Sequence, residues 1–169
     1  MSDGTRFAAL EKRIDELESR AAIADVIHRY AEAIRGRAPE RVLELMEPDV
    51  VVELHHADPD DLGQTELMSR YRGHDEVRGS FAEQAGSAAR VWPMLHNLRI
   101  ELDGDEARAT CVIASQVWPH GMQYVGEYRD RFRRRDGAWR FAARVHVGYG
   151  AADGQYSREA NQAYQATKT

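Results

Sequence analysis

The chain has 169 residues, 43% of them hydrophobic and 30% charged, with a net charge of -5. That length supports one domain with its own core, and a mildly acidic surface argues against nucleic acid as the main partner, because phosphate binding needs a concentrated basic face. One cysteine, Cys111, excludes an internal disulfide and a thiolate metal cluster, and its apolar surroundings mark it as a small core residue.

Met1 to Leu10 carries no basic-then-apolar targeting pattern. No stretch approaches the roughly 20 apolar residues of a membrane span, so a cytoplasmic protein without a membrane partner is expected. The first long segment is helical. Leu10, Ile14, Leu17, Ala21, Ala24 and Ile27 recur at three- and four-residue steps, and Ile23, Val26, Tyr30 and Ile34 widen the apolar face. Gly36 and Pro39 end it. Leu10 to Leu17 is a narrow apolar stripe amid heavy charge, suited to packing on another subunit. A short helix over 39–46 follows, opened by Pro39. Val50 to Leu54 reads as a strand, 55–62 as a loop, 70–73 as a short extended piece and 74–84 as a third helix.

From Trp92 the pattern turns to strands. Met94, His96, Leu98, Ile100 and Leu102 alternate with Leu95, Asn97, Arg99 and Glu101, and Asp103-Gly104-Asp105 is a hairpin turn. Strands are expected over 107–118, 123–134 and 139–149, with Asp136-Gly137 as a second turn. The basic run Arg131 to Arg135 stands at that turn and reads as a solvated rim. Residues 1–150 form the domain, and 151–169 are a polar tail. Three helices followed by an antiparallel meander give an α+β domain. Its curved sheet wraps the helices like a cone and leaves one blind, mostly apolar hollow for a small molecule.

Five segments stand out together: Ala21 to Ala31; Tyr71-Arg72-Gly73 before a helix; Asn97 to Ala107; Gly126 to Asp130; and Asp136 to Phe141. In this order and spacing they resemble the SnoaL-like, nuclear transport factor 2-like proteins. Together they run over roughly 15–150. The resemblance implies the same cone fold. It also implies relatives that are scytalone and bile-acid dehydratases, dehydrochlorinases, ketosteroid isomerases and polyketide cyclases, with some that only bind or serve as non-catalytic subunits. The dehydratase-like members use an Asp–His pair in the pocket. The positions that match that pair here are Arg35, five after Tyr30, and Pro93, four before Asn97. This chain departs from the family's pattern at both.

Substitute groups are therefore needed. His96 shares the alternation of Leu98, Ile100 and Leu102 and is the nearest base. Tyr30, on the inner helix face, and Arg35, in place of the carboxylate, suit a developing oxyanion. Tyr128 and Asp130 fall on the inner face of their strand. An inward Asp130 must be paired, with substrate, with His96 or with an arginine such as Arg144. His55 and His56 are adjacent, so at most one enters the hollow. With Asp58, Asp60 and Asp61 nearby they match no familiar metal-ligand spacing, and no metal is expected. Arg144 and His146 share the strand face opposite Phe141, Ala143, Val145 and Val147, which places His146 outside or at a subunit interface. Trp92, Trp118 and Tyr124 are candidates for the pocket mouth.

Phosphate-binding glycine loops and G-x-S-x-G elbows are missing, so neither a nucleotide cofactor nor serine hydrolysis is expected. The residues point to a cofactor-independent enzyme acting on a small hydrophobic, aromatic substrate. It would eliminate water or another small neutral fragment such as formaldehyde, or isomerise its substrate. His96 (or His55 or His56) is the base, Tyr30 and Arg35 hold the oxyanion and Asp130 orients the histidine. The alternatives are a binding or assembly protein and a polyketide cyclase. A homo-oligomer, dimer or trimer, is expected through the open sheet face.

Overall fold

A computed structural model describes residues 3–58, 61–119 and 122–149. The elements are α1 (Asp3–Arg35), α2 (Pro39–Leu43), β1 (Met46–Asp58), β2 (Asp61–Arg72), α3 (Gly73–Gly86), β3 (Arg90–Asp103), β4 (Glu106–Trp118), β5 (Met122–Arg135) and β6 (Ala138–Tyr149). The strands form one curved, unclosed sheet in the order β2-β1-β6-β5-β4-β3. All neighbours are antiparallel except β1 and β6.

α1 carries Ile23, Val26, Ile27, Tyr30 and Ala33 into the core. It stops in a Schellman motif: the amide of Ala38 donates to the Ala33 carbonyl at 3.0 Å and that of Arg37 to Ile34 at 3.1 Å. The left-handed residue is Arg37 (φ 55) rather than Gly36. Its guanidinium donates to the carbonyls of Ala85 and Ser87, so the strained residue also fastens the end of α1 to that of α3. α1 lies against β3, and α3 against β1 and β2. Phe132, Phe141, Met46 and Ile113 fill the space between sheet and helices. Cys111 is buried there as expected, and burial pushes its thiol up to about 11.

Two expectations change. α2 ends at Leu43, and Met46 already belongs to β1. Of the segment read as a loop, 55–58 belongs to β1 and 61–62 to β2, with His55 opposite Leu67 and His56 opposite Glu66. β1 has a partner on each side, so ladder hydrogen bonds override a composition that favours turns. The turns at Gly104 (φ 59) and at Asp136-Gly137 (φ 51 and 74) are as expected. In the basic run, Arg133 pairs with Asp49, Arg134 with Asp15 and Asp105, and Arg135 with Glu47. The tail from residue 150 lies outside the described residues.

Two β-bulges control which side chains face inward. β3 and β4 pair residue for residue from Arg90–Trp118 to His96–Val112 and resume at Arg99–Thr110, leaving one extra residue on β3. Asn97 takes it up in a left-handed conformation (φ 54), which asparagine tolerates. The phase of β3 therefore reverses. Val91, Pro93 and Leu95 face in before the bulge, and Leu98, Ile100 and Leu102 after it. On β6, Ala143 pairs with Arg131 and Phe141 with Phe132, so Ala142 is the extra residue. Trp139 and Phe141 face the core below it; Arg144 and His146 share the inner face of Asp130 and Tyr128 above it.

The Asn97 conformation is testable. Asn97→Val should destabilise the fold by about 1–2 kcal/mol and Asn97→Gly by much less, because only the β-branched residue is forbidden at this φ. Denaturant unfolding of the two variants beside the parent measures the difference.

Candidate active site

Between the inner sheet face and the helices lies a cavity of about 350 Å³. α1 contributes Tyr30 and Ile34, α3 Ser80, Phe81 and Gln84, and β1 Val52, Leu54, His55 and His56. β3 gives Val91 and Pro93, β4 Ile113, Ser115 and Val117, β5 Tyr128, and β6 Arg144 and His146. Exposed Leu54, Met68 and Gln84 mark the side that meets solvent. Other hollows among the described residues are unlike it. One, beside α2, holds about 20 Å³, no more than a water. Another is walled by exposed charged side chains including Glu101, Asp103 and Arg108.

The polar end of the cavity is built on Arg144, which is only 1% exposed. Its Nε donates to Asp130 Oδ1 at 2.8 Å and its Nη2 to Oδ2 at 2.7 Å. This two-pronged bond is the strongest geometry an arginine and a carboxylate have. Three rings enclose the guanidinium, with Tyr30 and Tyr128 at 3.9 Å and Phe141 at 4.2 Å from their centres. Burial works against the guanidinium's charge, but Asp130 outweighs it and holds Arg144 protonated. Burial raises the Asp130 carboxyl against the pull of Arg144. It likewise raises the Tyr30 phenol, with Arg144 opposing.

His146 packs its ring edge-on to Tyr128, with centroids 4.9 Å apart. Burial pushes it down to about 4, helped by the positive charge of Arg144 and by His56. At neutral pH it is an uncharged imidazole beside a permanent cation. His56 belongs to the same face of β1 as Val52 and Leu54. Four buried side-chain polar atoms lack a hydrogen-bond partner among the described residues: Glu47 Oε2, which is ion-paired with Arg135 at 3.2 Å, His56 Nδ1, Ser115 Oγ and Arg144 Nη1. The last three belong to residues that line this cavity. Buried polar atoms are normally satisfied, so their concentration in one wall marks hydrogen-bonding capacity left over from folding.

The structure gathers Tyr30, Tyr128, Arg144, His55 and His56 from the sequence candidates. His55 and His56 both border the cavity, where alternation alone admits at most one; both ring nitrogens of His55 are engaged, with Glu53 at 2.9 Å and Thr65 at 3.1 Å. Asp130 stands behind the wall and orients Arg144 instead of a histidine. Four candidates fall elsewhere. His96 is exposed, because the Asn97 bulge turns it to the outer face with Trp92 and Met94. Trp92, on that face, and Trp118, at the end of β4, are more than half exposed and do not border the cavity. Arg35 is exposed at the end of α1, one position past the inward Ile34. Tyr124 belongs to β5, but its side chain lies outside the described residues.

The residue that sequence reasoning left outside is His146. The Ala142 bulge carries it inward, together with Arg144. A signal was present: on β6, buried Trp139 and Phe141 fall on odd positions while polar Arg144 and His146 fall on even ones, as two strand phases joined at Ala142-Ala143 would.

A cone of sheet over helices, closed on a pocket with a polar end and an apolar mouth, defines a nuclear transport factor 2-like domain. A family model described as the SnoaL-like domain matches residues 15–145, and the chain belongs to that family. Among solved structures, the chain is similar to a protein from Novosphingobium aromaticivorans described as NTF2-like with a cystatin-like fold. The TM-score is 0.67 at 22% identity, over 92% of this chain and 96% of the other. It is also similar to a type 2 LinA hexachlorocyclohexane dehydrochlorinase, with TM-score 0.62, 18% identity and coverage of 80% and 88%. A third, from Novosphingobium aromaticivorans and provisionally named scytalone dehydratase, has TM-score 0.65, 18% identity and coverage of 80% and 88%. At such identities the likeness shows the fold. A search of curated sequences gives no significant match. Among the described residues, no helix is long and apolar enough to cross a membrane.

Two expectations follow from the site. Asp130→Ala leaves Arg144 buried without its counter-charge and should cost about 3–5 kcal/mol. Asp130→Leu combined with Arg144→Met should recover most of that loss, as chemical denaturation of both variants would reveal. The second concerns pH. An unfolded His146 takes a proton near 6.5 and the folded one only near 4. The unfolded state then binds more protons in that window, so stability falls as pH drops from about 6.5 toward 4, by up to about 3 kcal/mol. In His146→Asn the slope of unfolding free energy against pH over that window should flatten.

Proposed function

We propose that this protein is a lyase or isomerase working by proton transfer alone, on a small, largely apolar substrate with one oxygen able to take up negative charge. What carries the reading is the meeting of a buried cation, a neutral imidazole and unsatisfied polar groups in one cavity, drawn from three different strands, β1, β4 and β6. His56 is the proton acceptor in this scheme, since its Nδ1 has no partner among the described residues. His146 stays neutral and holds the substrate by a hydrogen bond. Arg144, with Tyr30 beside it, faces the oxygen where charge develops. Phe81, Tyr30 and Tyr128 in the wall favour a flat aromatic ring.

The chemistry balances without further reagents. His56 takes a proton from carbon next to a carbonyl, and the C–H electron pair forms an enolate whose oxygen charge meets Arg144. When the enolate reforms its carbonyl, the bond to a leaving group on the neighbouring carbon breaks. The proton returns from His56 to that group, which departs as water or another small neutral molecule. Returning the proton to a different carbon gives isomerisation instead. Two of the similar structures are named for eliminations, one provisionally for dehydration and one for dehydrochlorination, which supports the same class here.

The second reading, a binding protein, rests on Arg35 and Pro93 at the two positions where dehydratase-like members hold their dyad. The two readings separate in one experiment. Aromatic β-hydroxy ketones, enones and diols are incubated with the protein, and loss or rearrangement of mass and double-bond position is followed. Turnover should appear, and His56→Gln should lower kcat by about 10²–10⁴ while leaving the fold intact. Saturable binding without turnover, equal in parent and His56→Gln, would make the chain a binder.

A further inference from the structure

One face of α1 is not used by the fold. Ser19, Ile23, Val26, Ile27, Tyr30 and Ala33 are its buried positions. Every residue from Gly4 to Glu18 is exposed. Four of these are large and apolar: Phe7 at 67%, Leu10 at 50%, Ile14 at 54% and Leu17 at 61% exposure. Their steps of three, four and three are the a and d positions of a heptad, and Ala21 and Ala24 continue the seam. At about 100° per residue this seam lies nearly opposite the buried face, and its residues are exposed from Phe7 to Ala21, with Ala24 half-buried where the helix meets the body. The small alanines fall where the helix runs over the body, where a second helix must come closest.

The flanking charges identify the occupant. The g positions are Arg6, Arg13 and Arg20, and the e positions are Glu11, Glu18 and Asp25. All of one flank is basic and all of the other acidic. Two such helices side by side in parallel bring each g residue to the e residue of the next heptad in the other chain. Arg6 then meets Glu11 and Arg13 meets Glu18, on both sides of the seam; at the third pair, Arg20 also donates to the Ile100 carbonyl of its own chain and Asp25 stands 3.8 Å from Arg29. An antiparallel pair sets arginine against arginine and glutamate against glutamate. Ile14 at a with Leu10 and Leu17 at d favours two chains.

We infer that α1 is a dimerisation helix, which pairs in parallel with α1 of a second copy of this chain through Phe7, Leu10, Ile14 and Leu17. The surface is distinct from the open sheet face, where the sequence places an oligomer contact. It gives the exposed apolar stripe a partner of matched charge, and it holds two cavities on one side of a common stalk.

Sedimentation of the full chain at micromolar concentration tests this. The parent should be a dimer. Leu10→Glu with Leu17→Glu should weaken it by roughly 100-fold or more while circular dichroism and thermal midpoint stay near those of the parent, since both side chains stand clear of the core. Arg6→Glu/Arg13→Glu and Glu11→Lys/Glu18→Lys should each be monomeric alone and should pair when mixed. Leu10→Cys and Leu17→Cys should each cross-link to themselves on oxidation, as only parallel chains in register allow; Cys111 is buried and does not compete. A monomeric parent, an oligomer indifferent to Leu10→Glu/Leu17→Glu, a trimer, or failure of both cysteine variants to cross-link would overturn the proposal.

Discussion

The ion pair between Arg144 and Asp130 organises the interior of this domain. Two charges removed from water are costly, and the cost is offset here by a two-pronged bond and by aromatic faces around the guanidinium. Because that arrangement allows one geometry, it fixes β5 against β6 and sets Tyr30 and Tyr128 in place. It also leaves a permanent positive charge at the inner end of an otherwise apolar hollow. The neighbouring His146 is kept neutral by burial and by this charge. The electrostatic character of the cavity thus follows from a single pair.

The pair has consequences for chemistry. Both oxygens of Asp130 bond Arg144, so the carboxylate orients the guanidinium. The cavity consequently differs in kind from one built around a carboxylate–imidazole dyad. Its positive end suits an enolate, phenolate or carboxylate oxygen, and of its imidazoles His55 is held by Glu53. The SnoaL-like fold supplies the hollow, and the residues in its wall decide what can happen there.

The fold also divides α1 into two parts with different roles. From Ser19 onward the helix is a core element. Before that it is a charged, apolar-striped rod, tied to the body by Arg134 through Asp15. A 33-residue helix is longer than the sheet needs to be covered, and the excess carries a pattern of its own.

Sequence alone determined the order of the helices and of the last four strands, the two tight turns, the inward face of β5 with Tyr128 and Asp130, the inner position of Tyr30 and the stripe on α1. Each rests on a local period, 3.6 for helix and 2 for strand, or on a turn residue, and a local rule needs no partner to be read. Only the tertiary structure decided which histidine reaches the cavity. A strand's alternation keeps its phase until an extra residue resets it, and an extra residue exists only relative to the strand opposite. At Asn97 that reset sends His96 out; at Ala142 it brings Arg144 and His146 in. Tertiary pairing also turned 55–58 and 61–62 from expected loop into strand, because the hydrogen bonds between β1 and its neighbours β2 and β6 outweigh the polar composition of those residues.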